Sequence, residues 1–314
     1  MNKLFSWKNL AGKTLNKGHV VLLLLLALNT YADPNASSPT IAPSSTNSAT
    51  TSDDLTDNNV YKTRQEDEKK ASNNPFSILL YHPTYILPYY YTQMPDSAAY
   101  SNLPNNQSIQ SQEVKAQLSF KVPVWQDILS SKANLYVAYT QLSYWQVYQA
   151  SPFFRETDYE PELFANYPVT QWLVLQTGVD HQSNGVGGSQ ERSWNRYYGE
   201  GIASLGNWMI DAKPWVPIFT ANSMDIYNPN MPDYLGYGQI TTAYKLHDVV
   251  FAIMVRNEAE SNFARGAEEF TISVPLGVHF KFYVDAFSGY GQSLIEYNHY
   301  TNAIGAGIAL NDVI

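Results

Sequence analysis

A histidine and a serine two positions apart, His181 and Ser183, are the residues of this sequence best suited to covalent chemistry. They end a run whose alternate residues are apolar, with Leu173, Leu175 and Val179 on the same side. Because alternate side chains of a β-strand lie on one face, a nucleophile and a base would share the surface of these apolar residues. In a soluble enzyme that surface faces a core, where a reactive serine is of no use. On a transmembrane barrel it faces lipid, which would make lipid the substrate.

The spacing of this pair suits a serine nucleophile and its base. Their Cα atoms would be about 6.6 Å apart on one strand face. A serine needs an adjacent base to take its proton, and the base needs a third group to orient it. Asn195 is the candidate, because a hairpin that turns tightly at Gly187 and Gly188 would bring it opposite His181. An amide also suits a lipid-facing position, since it carries no charge to desolvate.

Backbone N–H groups beside Ser183 or at Gly185 are candidate donors to a developing oxyanion. An isolated His-x-Ser pair is nevertheless a weak signal. The alternative is that His181 and Ser183 are polar residues that mark the exit of the strand into water.

The first 32 residues have the features of a signal peptide. Nine apolar residues, 20–28, follow a basic region and precede a small-residue cleavage site at 30–32. Nine residues suit a signal-peptide core and are too few for a helical span, which needs about 20. We expect cleavage after Ala32; the alternative is an uncleaved anchor. The basic region contains Lys3, Lys8, Lys13 and Lys17.

Residues 33–74 differ in composition from the rest of the chain. They are rich in Ser, Thr, Asn and Pro and become charged at 64–70. Such a segment buries too little apolar area to offset the entropy of ordering it. The sequence therefore predicts a disordered linker, with order beginning near Pro75.

Composition excludes several classes of protein. The net charge is −9. The charged residues of the predicted leader are all basic, so the mature chain is more acidic still. An acidic chain argues against nucleic-acid binding, which needs Lys and Arg to neutralise phosphates. The absence of Cys excludes a disulfide framework. Since no later apolar run is long enough for a transmembrane helix, a membrane would have to be crossed by strands.

Period-two alternation recurs throughout residues 75–314 and indicates half-buried strands. No segment carries a sustained 3.6-residue apolar stripe. The apolar faces comprise Val114, Ala116, Leu118, Phe120, Val122 and Val124; Ala133, Leu135, Val137 and Tyr139; Val249, Phe251, Ile253 and Val255; Phe270, Ile272, Val274, Leu276 and Val278; and Ile304, Ala306, Ile308, Leu310 and Ile314, with Asp312 as the exception.

Soluble β-sandwiches alternate too, so the pattern alone does not identify the solvent. The export signal, 24 Tyr and 7 Trp for aromatic girdles, and a final strand predicted to reach the last residue all favour a membrane barrel. Residues 75–314 supply about 20 residues for each of 12 strands, enough for spans of about 9–11 residues plus turns. The fold class is therefore all-β, an antiparallel transmembrane β-barrel of 12 strands. A porin-like barrel without chemistry remains the alternative.

Residues 181–196 resemble the active-site segment of the outer-membrane phospholipase A family, twelve-stranded barrels of Gram-negative bacteria. The family pattern is His-x-Ser-Asn-Gly, a short loop, and then Arg-Ser-Trp-Asn-Arg. This chain has the first half at 181–185 and the second at 192–196. The likeness covers most of 75–314 and none of the linker. It continues through residues 139–146, 154–161, 207–208, 213–215 and 290–298.

The resemblance implies a role for each residue of the site. Ser183 would be the nucleophile, His181 the base and Asn195 its orienter, with Gly185 supplying an oxyanion N–H. It also implies hydrolysis of acyl esters of phospholipids and lysophospholipids, with A1, A2 and lysophospholipase activity. The enzyme would be a multi-pass protein of the outer membrane, active as a calcium-bound homodimer.

The resemblance places calcium near the loop between the two catalytic strands. The loop serine that helps to bind calcium in the family aligns with Glu191 here, and a carboxylate suits this hard cation. Ser189 is the alternative ligand, through a shifted loop. The Val186 carbonyl would be a second loop ligand, and Ser151 would be the contribution of the partner chain.

Gln141 matches a family position at the dimer interface. It shares the apolar face of Val137 and Tyr139. A lone polar group on that face would be stabilised by a hydrogen-bond partner across an interface. The alternative is a side chain near the lipid headgroups.

The leading hypothesis is a calcium-dependent phospholipase of the outer membrane that dimerisation controls. The rival is a non-catalytic barrel, a small pore or structural protein, which predicts a continuous polar lumen and no response to calcium. A weaker third hypothesis makes the linker 33–74 the functional part, a periplasmic tether for another envelope component.

Overall fold

The computed structural model describes residues 64, 66, 68–70, 74, 77–100, 103, 107–218, 228, 230–257, 259 and 261–313. All of them belong to one compact unit, Thr50–Ile314. The predicted signal peptide 1–32, most of the predicted linker 33–74 and the last residue, Ile314, lie outside the described residues.

The described chain consists almost entirely of strands. The α-helix α1 covers Met231–Leu235, and single 3₁₀ turns cover Ile128–Ser130 and Gly188–Gln190. None of the described helices is long and apolar enough to cross a membrane. The strands are β1 Leu79–Leu80, β2 Tyr85–Thr92, β3 Gln112–Trp125, β4 Asn134–Trp145, β5 Phe154–Pro168, β6 Leu173–Ser183, β7 Ser193–Leu205, β8 Trp208–Ile218, β9 Gly238–Leu246, β10 Val249–Arg256, β11 Ala267–Leu276, β12 Phe280–Tyr290 and β13 Tyr300–Ala309.

Strands β2 to β13 form a closed antiparallel barrel of 12 strands, as the alternation predicts. Each strand pairs with the next along the chain, and β13 pairs with β2 to close the ring. The two-residue strand β1 pairs with the end of β3, beyond the part of β3 that pairs with β2. Closure leaves no unpaired edge, which is what a bilayer requires of a structure that crosses it by strands.

The final strand ends earlier than the sequence pattern predicts. Strand β13 stops at Ala309, and the described residues after it, 310–313, are not in a strand. Asp312, the polar exception in the alternation, is 2% exposed. Its carboxylate accepts hydrogen bonds from Ser273 and from Lys281, whose Nζ lies 2.5 Å away. The segment after β13 thus places the Asp312 carboxylate inside the barrel, where these two side chains bind it.

The connections of the barrel are long at one end and short at the other. Transmembrane barrels have short turns on the periplasmic side and longer loops on the extracellular side. The loop that follows Ser183 therefore lies at the extracellular end. The connections at this end are 93–111, 146–153, 184–192, 219–237, 257–266 and 291–299; those at the other end are 126–133, 169–172, 206–207, 247–248 and 277–279, of which all but 126–133, as long as 146–153, are shorter than any at the first end.

A buried ion-pair network joins loop 291–299 to the barrel wall near the extracellular end. The Arg155 guanidinium donates to Glu113 at 2.7 and 2.8 Å and to Glu296 at 2.9 Å, and all three side chains are at most 1% exposed. Burial alone would raise the pKa of Glu296, but the charge of Arg155 and the hydrogen bonds from Asp96, Ser293 and Arg155 together hold this pKa below its ordinary value. Residues 292–297 of the loop are all buried.

The described part of the predicted linker is helical at residues 64, 66 and 68–70, where the sequence predicted disorder. The Glu68 carboxylate pairs with Nζ of Lys121 at 2.9 Å and with Nε of Arg64 at 3.1 Å. Arg64 also donates to the carbonyls of Tyr81 and Val313. This segment therefore contacts the barrel near the end of the short turns.

Removing Arg155 should destabilise the barrel strongly, because two buried carboxylates, those of Glu113 and Glu296, would lose this positively charged partner. For Arg155→Ala we expect a loss in the free energy of unfolding of about 3–5 kcal/mol, measured by urea unfolding in lipid vesicles. Arg265 and Asp233 form a matched exposed pair, with side chains 41% and 58% exposed. Arg265→Ala should therefore cost at most about 1 kcal/mol. Equal losses in the two variants would contradict the structural role of Arg155.

Candidate active site

The hairpin of β6 and β7 brings His181 opposite Asn195, which is the register the sequence predicts. Nδ1 of His181 lies 2.8 Å from Oδ1 of Asn195. An amide oxygen can only accept, so Nδ1 donates in this contact, and in the neutral tautomer with this proton Nε2 is the basic nitrogen. Ser183 follows two residues later on the same face. The structure thus brings an imidazole and an amide into contact on the strand face that also carries Ser183.

This face is the outer wall of the barrel. On β6, Leu175 and Val179 are 48% and 41% exposed, whereas their neighbours Val174, Gln176 and Asp180 are each at most 7% exposed. His181, Ser183 and Asn195 are half-buried. The side chains that could do chemistry therefore face outward with the apolar residues.

The opposite face of the same two strands carries a buried ion pair. Asp180 and Arg196 are Cα partners in the register, and Nε of Arg196 donates to Oδ1 of Asp180 at 2.7 Å. Arg196 also donates to Glu160 at 2.6 Å and lies 4.5 Å from the ring of Trp194. This pair is one residue away from His181 and Asn195 on each strand, so it fixes their alignment from inside the barrel.

The connection between the two strands is longer than the tight reversal predicted at Gly187 and Gly188. Residues 184–192 form a nine-residue loop with a 3₁₀ turn at Gly188–Gln190. Gly188 has a φ of +72°, which favours glycine, but Gly187 has an ordinary φ of −101°. The prediction of a two-glycine turn was wrong, although the register it gave was correct.

Gly185, in this loop, lies close to the ring of Tyr159. Its φ is +66°, and a Cβ at this position would lie 2.9 Å from Cε2 of Tyr159. Tyr159 is the Cα partner of Ser183 on β5. Tyr159 was not predicted as a neighbour of the site. Counting back from the turn 169–172 could have found it, because the register of the β5–β6 hairpin is regular from Pro168 opposite Val174 to Tyr159 opposite Ser183.

The residues predicted to bind calcium lie in two neighbouring loops at the extracellular end. Val186 and Glu191 are both in loop 184–192, and Ser151 is exposed in loop 146–153. The carboxylate of Glu191 has no hydrogen bond or ion pair with the described residues, whereas the Glu191 backbone carbonyl accepts from Arg192 at 2.8 Å. A carboxylate and a carbonyl in one loop are the hard oxygen donors that calcium prefers. The loop therefore fits a calcium ion.

A second acidic group is less suitable for a metal. Ligand oxygens of Glu160, Glu162 and Asp180 lie within 4.8 Å of one another. These residues face the barrel interior, where Arg196 pairs with Glu160 and Asp180 and where Lys213 pairs with Glu162 at 3.1 Å. Because cations of the protein already neutralise this group, it carries no calcium assignment here.

Gln141 lies on the outer wall, as predicted, but its amide is not alone. Its Oε1 accepts from the Tyr139 hydroxyl at 3.0 Å and its Nε2 donates to Oγ of Ser143 at 3.2 Å. Thr157 donates to the same Ser143 at 3.3 Å. A small polar patch thus crosses β4 and β5 on the outer wall.

Comparison with known proteins identifies the family. The profile described as Phospholipase A1 matches residues 61–310. The chain belongs to the phospholipase A1 family. It is 36% identical over 250 residues to phospholipase A1 of Proteus vulgaris, covering 77% of this chain and 84% of that protein. Phospholipase A1 of Escherichia coli K12 is 36% identical over 252 residues with the same coverage.

Two solved structures have the same fold. Outer membrane phospholipase A from Escherichia coli matches with a TM-score of 0.71 and 34% identity, covering 77% of this chain and 95% of that one. A dimer of the Salmonella typhi outer membrane phospholipase with bound calcium matches with a TM-score of 0.72 and 33% identity, covering 79% and 97%. This phospholipase A1 family member is therefore a multi-pass β-barrel of the Gram-negative outer membrane.

Proposed function

We propose that this protein is a calcium-dependent phospholipase that hydrolyses acyl ester bonds of phospholipids and lysophospholipids, with A1, A2 and lysophospholipase activity. Ser183 is the nucleophile, His181 the base and Asn195 the group that orients the base. The observation that carries the proposal is the 2.8 Å hydrogen bond between His181 and Asn195 on the outer wall, beside Ser183. A substrate in the outer leaflet reaches this wall without leaving the membrane.

The reaction divides into two steps. Oγ of Ser183 attacks the ester carbonyl carbon while Nε2 of His181 takes its proton. The tetrahedral intermediate collapses, and the protonated imidazole gives the proton to the departing alcohol, leaving an acyl-enzyme. Water then attacks the acyl-enzyme with His181 again as the base, which releases the fatty acid and restores Ser183.

The N–H of Gly185 donates to the oxyanion of each tetrahedral intermediate. Such donors commonly contribute a large share of the rate enhancement because they are already oriented before the charge develops. Calcium, when bound, supplies positive charge close to this developing negative charge. The Val186 carbonyl and Glu191 would hold it, with Ser151 contributed from the partner chain.

Homodimerisation completes the site in this proposal. The groups that do chemistry lie on a convex outer wall, which offers no enclosed pocket to an acyl chain. A second barrel against the polar patch of Tyr139, Gln141, Ser143 and Thr157 would enclose the substrate and bring Ser151 close to the loop of its partner. The calcium-bound dimer of the Salmonella typhi relative supports this arrangement.

The rival hypothesis of a pore has less support. A continuous polar lumen would be needed, but loop 291–299 is buried at the extracellular end and Glu68 pairs with Lys121 near the other end. Between them Lys115 pairs with Asp285 at 2.5 Å and with Glu269 at 3.2 Å. Paired side chains of opposite charge thus lie inside the barrel between its two ends.

Ser183→Ala should abolish fatty-acid release from phospholipid vesicles, because it removes the attacking oxygen. The hydroxyl does not hold the barrel together, so the variant should still fold and shift on heating in gel electrophoresis as the wild type does. Hydrolysis retained by a folded Ser183→Ala variant would contradict the proposal.

The calcium dependence of hydrolysis should depend on the carboxylate of Glu191. Chelation should stop hydrolysis by the wild type, and calcium should restore it. Glu191→Ala should raise the calcium concentration for half-maximal activity by about tenfold or more, since ligand charge tunes calcium affinity. Ser189→Ala, in the same loop, is the matched control and should change it little. The opposite ranking of the two variants would assign the ligand to Ser189, against the proposal.

A further inference from the structure

One buried side chain, Asn184, holds the whole nine-residue loop together. It follows Ser183 directly and is 3% exposed. Its Oδ1 accepts from the backbone N–H of Arg192 at 3.0 Å and of Val186 at 3.3 Å. Its Nδ2 donates to the carbonyl of Gln190 at 2.9 Å. One amide therefore bonds to the loop backbone at the beginning, the middle and the end.

These bonds control the backbone on both sides of Gly185. The N–H of Gly185 belongs to the peptide bond between Asn184 and Gly185. On the other side of Gly185, the Asn184 side chain accepts from the N–H of Val186. The backbone of Asn184 is fixed as well, because its own N–H donates to the Arg192 carbonyl at 3.0 Å. The positive φ of Gly185 would otherwise be one of several conformations open to a glycine.

The same bonds define where the loop carbonyls lie. Fixing the N–H of Val186 and the carbonyl of Gln190 restrains the Val186 carbonyl and the start of Glu191, the two positions proposed to bind calcium. The contact with Arg192 keeps the start and end of the loop paired beyond the last residues of β6 and β7. Loss of the amide would leave three backbone groups to find new partners.

We propose that Asn184 is a positioning residue for catalysis, which sets the Gly185 N–H and the loop oxygens through its three hydrogen bonds. This inference rests on the proposed function. Asn184 touches neither the ester nor the base; it acts through the loop backbone. The hydrogen bonds within the loop are local, so the barrel pairing of β6 and β7 does not depend on them.

The test compares Asn184→Ala with Gln190→Ala in the full-length protein refolded with phospholipid vesicles. Gln190 is a matched control, because among the described residues its side chain donates only to the Ala99 carbonyl, at 3.1 Å, and the Gln190 carbonyl that accepts from Asn184 is kept. For Asn184→Ala we expect kcat to fall by about 10²-fold, the low end of the cost of losing one oxyanion donor. The half-maximal calcium concentration should rise, while KM should change less than threefold. Gln190→Ala should keep kcat and the calcium response near those of the wild type.

A wild-type kcat and calcium curve in folded Asn184→Ala would overturn the inference, and so would equal losses in the two variants. If Asn184→Ala does not fold, Asn184→Asp decides. This variant keeps the oxygen that accepts from Val186 and Arg192, loses the donor to Gln190 and brings a carboxylate close to Glu156. Its kcat should lie between wild type and Ser183→Ala; an unchanged kcat and calcium curve would overturn the inference. An inactive wild type would instead refute the proposed function itself.

Discussion

The register between β6 and β7 is the constraint on which the site depends. A shift of one residue would turn every side chain of a strand to the other face. His181 and Ser183 would then point into the barrel, and Asp180 would face lipid. If β7 shifted instead, Arg196 would face lipid, which costs up to about 2–4 kcal/mol at the bilayer midplane and less toward the interfaces. The ion pair between Asp180 and Arg196 is satisfied only inside, so the interior of the barrel fixes the chemistry on its outer wall.

Charge is distributed between the two faces in the way this constraint requires. Lys115, Arg155, Arg196 and Lys213 are all buried and paired with carboxylates. The groups on the outer wall, His181, Ser183 and Asn195, carry no permanent charge. The proposed orienting group, Asn195, is an amide and not a carboxylate. This fits the division, because an ionised carboxylate on a lipid-facing wall would be costly. The calcium proposal keeps its charged ligand, Glu191, in the loop beyond the strands.

The sequence predicts the barrel and the faces of its strands well, because alternation reports directly on which side chains face lipid. It also predicts the pairing of His181 with Asn195, since two residues in one hairpin are related by simple counting. It fails where a contact depends on distant pairing or on loop conformation. The partner of Asp312 and the shape of the loop after Ser183 are of that kind. Polar residues of both charges on the inward faces, such as Lys121 and Asp180, were a usable signal for the interior network.

The central claim is that Ser183 is an activated nucleophile on the outer wall, and covalent labelling tests it most directly. A sulfonyl fluoride bearing an alkyl chain would be added to the refolded protein with calcium, and the modified peptide would be identified by mass spectrometry. The account predicts a single adduct on Ser183 and none on Ser193, its Cα partner across the hairpin, which is 7% exposed. An unlabelled Ser183, or an adduct on another serine, would contradict it.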